Sequence, residues 1–115
     1  MKLLMHVLKK NNKLKIDNEN IGPVDIIMKL KEEYNEVVDA IIAYEDDKRL
    51  INLKEIIRET FDLIQMCILI LWRCNIKAHT LDEPNLISEI NIEHKDKLME
   101  RQWIIETGIE IDVKE

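Results

Sequence analysis

Glycine and proline are almost missing from this chain, two of each in 115 residues, and aromatic side chains make up only 4% of it. Turn-dense sandwiches and barrels draw heavily on both turn formers, so their scarcity argues against a sheet-rich fold and for helices. Cysteine is as rare. Cys67 and Cys74 stand seven apart with no CxxC spacing, which argues against a zinc site and reads them as reduced thiols in the core of one helix face. Long apolar runs are lacking too. The most apolar stretch, Leu63 to Trp72, has ten residues, half of what a membrane span needs. Met1 to Leu8 is too short for a signal peptide before Lys9 and Lys10. No Lys/Arg-rich segment offsets the net charge of -6, so nucleic-acid backbones and anionic membranes are not expected partners. The expectation is a soluble, cytoplasmic protein.

What the chain does contain is 46% hydrophobic and 35% charged residues, in a length that suits one domain with a modest core. Apolar residues recur at Ile26, Ile27, Leu30, Tyr34, Val37, Val38 and Ile41 after Pro23, a residue suited to the first position of a helix. A helix is predicted to about Tyr44. Glu45-Asp46-Asp47-Lys48 breaks the pattern, and a second helix starts near Arg49 with Leu50, Leu53, Ile56, Ile57, Phe61 and Ile64. Its continuation from Leu63 to Trp72 is apolar on every side, which requires burial on every side. A subunit interface is expected there. Asn75 to Pro84 reads as a loop and about Asn85 to Trp103 as a further helix. Residues 1–10 read as a possible short helix, followed by a polar, turn-prone stretch to Gly22. Ile109, Ile111 and Val113 alternate with acids, which suits a short strand, a docking arm or a frayed tail over residues 106–115. The fold class expected is all-α, one helical bundle over residues 1–115 with 1–22 as a poorly defined lead-in.

Acidic pairs at spacing i, i+3 occur at Glu33/Glu36, Glu36/Asp39, Glu59/Asp62, Glu93/Asp96 and Asp112/Glu115, about what chance placement of 23 acids produces. Position distinguishes two of them. Glu33 lies between Leu30 and Val37, and Glu59 between Ile56 and Leu63, so each interrupts an apolar stripe. An unpaired carboxylate pushed toward low dielectric costs several kcal/mol or more unless a cation neutralises it. The midpoint of the two pairs falls at Asp47-Lys48, where the turn is predicted, so antiparallel helices would bring Glu33, Glu36, Glu59 and Asp62 face to face. An all-oxygen set of this kind suits Mg²⁺ or Mn²⁺, with Ca²⁺ possible in principle, and none of the Glu-x-x-His pairs of a di-iron bundle is present. The competing reading leaves the acids solvated and paired with Lys31, Lys54 or Arg58, in a helical dimerisation module without enzymatic activity.

The segment Glu32-Glu33-Tyr34-Asn35-Glu36, followed after 22 residues by Glu59-Thr60-Phe61-Asp62, resembles the EExxE…ExxD signature of the MazG-like all-α nucleotide pyrophosphohydrolases. The resemblance covers residues 24 to 74. It implies a helical bundle assembled as a homodimer or homotetramer, with Mg²⁺ held by Glu33, Glu36, Glu59 and Asp62. The implied reaction cleaves a nucleoside triphosphate to monophosphate and pyrophosphate, with Glu33 or Glu36 as the acid that takes the proton of the attacking water. The run His94 to Trp103 is similar to the basic last helix of many such proteins. Lys97 and Arg101 share a helical face there and are the expected phosphate contacts. Val37 and Phe61 depart from the Leu and small residue common at those motif positions, and residues 1–22 lack the well-formed first helix that in the family contributes to the nucleobase pocket.

Overall fold

Pro23 opens the first helix, where its missing N–H would have no intrahelical partner, and Gly22 precedes it in an extended conformation as the N-cap. In the computed structural model, which describes residues 1–114, this helix α1 runs Pro23–Asp46. Glu115, the second member of the Asp112/Glu115 pair and the end of the 106–115 tail, lies outside the described residues. The break falls at Asp47-Lys48-Arg49. There Asn52 Nδ2 donates to the Asp47 carbonyl at 2.7 Å and Arg49 pairs with Asp47 at 2.6 Å, tying the reversal to the start of the next helix.

Helix α2 runs Leu50–Thr80 without interruption, and α3 spans Leu86–Glu100. The chain is therefore mostly helical. Its only sheet among the described residues is a hairpin of two-residue strands, β1 Lys10–Asn11 and β2 Ile16–Asp17, paired antiparallel. Helices α1 and α2 form the main contact of the molecule; α3 touches α2 and not α1. None of these helices is long and apolar enough to cross a membrane.

Three expectations change. Residues 75–80 are helical rather than loop, because nothing between Arg73 and Thr80 breaks a helix and Ala78 is the most buried residue of the core, 2% exposed. Residues 1–9 form no helix. A segment so short is a poor helix by itself, and its carbonyls are instead taken by side chains: Gln65 Nε2 donates to His6 O at 2.6 Å and Asn18 Nδ2 to Leu8 O at 3.2 Å. Arg73 completes the clamp on the lead-in by donating to the carbonyls of Asn18 and Ile21, at 2.9 and 3.0 Å. Finally, Cys67 and Cys74 are free but exposed, not buried. The tail beyond Arg101 carries no strand among its described residues, and Ile104, Ile109 and Ile111 project into solvent.

Candidate metal centre

Along α1 the residues turned to α2 follow the helical repeat: Leu30, Glu33, Val37 and Ala40, with Glu33 and Ala40 buried. A glutamate thus occupies a position the repeat reserves for an apolar side chain. Its counterpart on α2 is Glu59, half-buried between Ile56 and Leu63. The antiparallel hairpin about Lys48 brings the two together, as the sequence spacing predicts.

Glu33, Glu59 and the exposed Asp62 each offer a carboxylate oxygen, and all three oxygens lie within 4.8 Å of one another. Two oxygens on opposite sides of a Mg²⁺ ion stand about 4.2 Å apart, so small side-chain rotations suffice to close the set on one cation. Charge balance asks for one. Glu33 is only 7% exposed; its Oε1 pairs with Lys29 Nζ at 3.1 Å, while Oε2 is buried with no hydrogen-bond partner. Glu59 Oε2 is likewise buried and without a donor. Buried carboxylate oxygens without a donor, on two acids clustered with a third, are groups that a hard cation can satisfy.

Glu36, the fourth acid of the predicted set, is not among the three converging oxygens; it lies beside Glu59 in the lining of the adjoining cleft. A proton on Glu59 can be donated to the Glu36 carboxylate or, alternatively, to that of Glu55; these two neighbours, with lesser help from desolvation and from repulsion by the same two acids, push the Glu59 pKa up to about 7. Beside them a cleft of about 300 Å³ is lined by Glu36, Asp39, Ala40, Ala43, Glu55 and Glu59. The small side chains of Ala40 and Ala43 opposite Glu55 leave this space open.

Two residues of the centre escaped the sequence reading. Glu55 lies one helical turn before Glu59, and Lys29 one turn before Glu33, so the i, i+4 rule was the available signal for both. The cations expected as partners of solvated acids behave differently: Arg58 pairs with Glu55 at 3.1 Å, and Lys31 and Lys54 form no ion pair among the described residues. Lys97 and Arg101 sit at the end of α3, exposed and outside the cleft lining, in a helix that does not reach α1. Within one chain they are not brought to the acids. The chain matches no protein-family model and has no significant match among curated proteins or solved structures.

Proposed function

We propose that the chain is a Mg²⁺-dependent nucleoside triphosphate pyrophosphohydrolase of MazG-like type, with Mn²⁺ as an alternative ion. The observation that carries the metal centre is that Glu33 and Glu59, each with a buried and unpartnered oxygen, bring a carboxylate oxygen within 4.8 Å of each other's and of Asp62's. The spacing of Glu32, Glu33 and Glu36 against Glu59 and Asp62 supports the reaction class. Glu33, Glu59 and Asp62 would hold the cation, with Glu36 beside them. When bound, such ions neutralise charge on the triphosphate and on the leaving pyrophosphate and acidify a bound water.

The chain's own residues then divide the remaining work. Glu36 is better placed than Glu33 to accept a proton, because Glu33 is committed to Lys29 and to the cluster, whereas Glu36 lines the cleft beside it and makes no such commitment to the three-acid group. Lys97 and Arg101, exposed, one turn apart and without an ion pair among the described residues, are suited to phosphate oxygens. The cleft lined by Ala40 and Ala43 is room beside the acids for part of the substrate.

Assembly belongs to the same proposal. The chain exposes 10239 Å², against about 6,600 Å² for a compact monomer of its mass. Its radius of gyration is 16.8 Å, where a compact domain of this length has about 13 Å. An excess of about 3,600 Å² is more than one side of a standard dimer interface, so a homodimer with wrapping arms or a homotetramer fits it. Along α2, Leu50, Ile57, Ile64 and Leu71 recur every seven residues and are all exposed, with Leu53, Cys67 and Cys74 on the adjoining heptad position. This stripe is the surface we assign to a second copy. In a cytoplasmic, reducing setting its two thiols would stay unpaired.

The deciding experiment measures pyrophosphate release from a panel of canonical and modified nucleoside triphosphates with Mg²⁺, for wild type and Glu59→Gln. Turnover by the wild type and its loss in the variant are the expected result; no turnover of any substrate ends the enzymatic reading. Melting with and without Mg²⁺ or Mn²⁺ separates the metal centre from a purely structural dimerisation module: Asp62→Asn should abolish the cation-induced rise, and a wild type indifferent to cations would leave only the module.

A further inference from the structure

Glu33 is the most deeply placed acid of the centre, and half of its carboxylate is already engaged: Lys29 Nζ lies 3.1 Å from Oε1. The same ammonium lies 3.6 Å from Glu32 Oε2. Glu32 and Glu33 are adjacent in sequence and so diverge on the helix, Glu33 toward α2 and Glu32 into solvent, its side chain 57% exposed. The Lys29 side chain is 45% exposed on a flexible four-carbon stem, bridging an acid of the centre and an acid outside it.

We propose that Lys29 is a resident counter-ion of the carboxylate centre, holding Glu33 in the metal-free protein and passing to Glu32 when a divalent cation is taken up. The inference rests on the metal-binding reading of Glu33, Glu59 and Asp62. A buried carboxylate cannot be left uncompensated, and Lys29 is the only cation that pairs with any of the three among the described residues. A dication entering between the three acids repels an ammonium seated on one of them, at a separation too short for salt to screen. Glu32 offers that ammonium a partner within reach and on the solvent side. The consequence is competition: Lys29 stabilises the empty centre and weakens its hold on metal, so that uptake and release are both accessible.

The test is Mn²⁺ binding to the full chain, followed by calorimetry or by the loss of the free-ion paramagnetic resonance signal. The variants are Lys29→Met, Lys29→Arg, Glu32→Gln and the double variant Lys29→Met/Glu32→Gln. Lys29→Met should bind Mn²⁺ about five-fold tighter, the effect of removing one partly screened charge a few ångströms away, while melting lower without metal. Lys29→Arg, whose planar fork grips a carboxylate more firmly, should bind more weakly than wild type, and so should Glu32→Gln, which removes the acceptor. Once Lys29→Met is in place, Glu32→Gln should weaken binding less. A Lys29→Met variant that binds no tighter than wild type, with Lys29→Arg equal to wild type, shows a merely structural lysine and overturns the proposal. If Lys29→Met does not fold, wild-type affinity in both Lys29→Arg and Glu32→Gln overturns it instead. A wild type that binds no Mn²⁺ removes the metal centre itself, an outcome distinct from either.

Discussion

Glu33 is where stability and the proposed function pull apart. Its orphaned Oε2 is a standing cost in the metal-free protein, since burying a carboxylate oxygen without a donor is worse than burying a methyl group in its place. Glu33→Leu is therefore expected to raise metal-free stability by about 1–3 kcal/mol in denaturant titrations and to eliminate stabilisation by Mg²⁺. Glu59 carries a pH signature. Its pKa stands at about 7 in the folded chain against an ordinary 4.5, so between those values the native state holds a proton that the unfolded chain has released. The sign follows directly: this group's contribution to metal-free stability is greatest below about pH 4.5, declines as pH rises to about 7, and is flat above. The wild-type melting temperature minus that of Glu59→Gln, followed across this window, should fall with rising pH. Metal uptake displaces the same proton, so apparent affinity for Mg²⁺ should climb over the same range. The two acids were legible as candidates because they interrupt apolar stripes; Lys29 and Glu55 were not, since charged neighbours one turn away are common on any helix and only packing shows which are turned inward.

Element boundaries were read well where a residue enforces them and poorly where backbone geometry does. Pro23 marked the start of α1, and the acidic cluster before Arg49 marked its end to within two residues. The end of α2 is different. It closes with Glu83 N–H on the Ala78 carbonyl and Asp82 N–H on that of His79, with Asp82 at φ 58°, and α3 closes the same way through Trp103 on Leu98 and Gln102 on Met99, with Gln102 at φ 63°. Glycine is the usual residue at such left-handed positions, and neither helix end has one, so Pro84 beyond α2 was the one stop signal in the sequence. Asp82→Gly should stabilise the chain by about 1 kcal/mol, read as a shift in the denaturant midpoint at unchanged slope. The loop expected from Asn75 onward failed for the complementary reason: one asparagine is a weak breaker, and packing at Ala78 carries the helix past it.

At the scale of the whole molecule, the isolated chain is short of core. Among the described residues only Ala40, Met66, Leu69 and Ala78 are buried apolar residues, while the heptad stripe of α2 faces outward. A chain stabilised by its own copies melts at a temperature that rises with protein concentration, and that dependence is expected here. Leu71→Glu, placed on the stripe, should lower the sedimentation mass and remove much of the dependence. Cys67 and Cys74 report on the same surface: a maleimide should modify them slowly in the wild-type assembly and quickly in Leu71→Glu. Equal rates in the two proteins would place the thiols, and the stripe, outside any interface.

The mostly helical character, the hairpin about Lys48 and the meeting of Glu33 with Glu59 and Asp62 were determined by the sequence alone, because periodicity and spacing along two antiparallel helices dictate which residues face each other. Tertiary structure decided the rest: which oxygens are buried without a donor, that Glu55 and Lys29 belong to the centre, and that both cysteines face outward. Burial and hydrogen bonding depend on the three-dimensional approach of neighbouring groups, and a helical repeat fixes the direction of a side chain without saying what it meets.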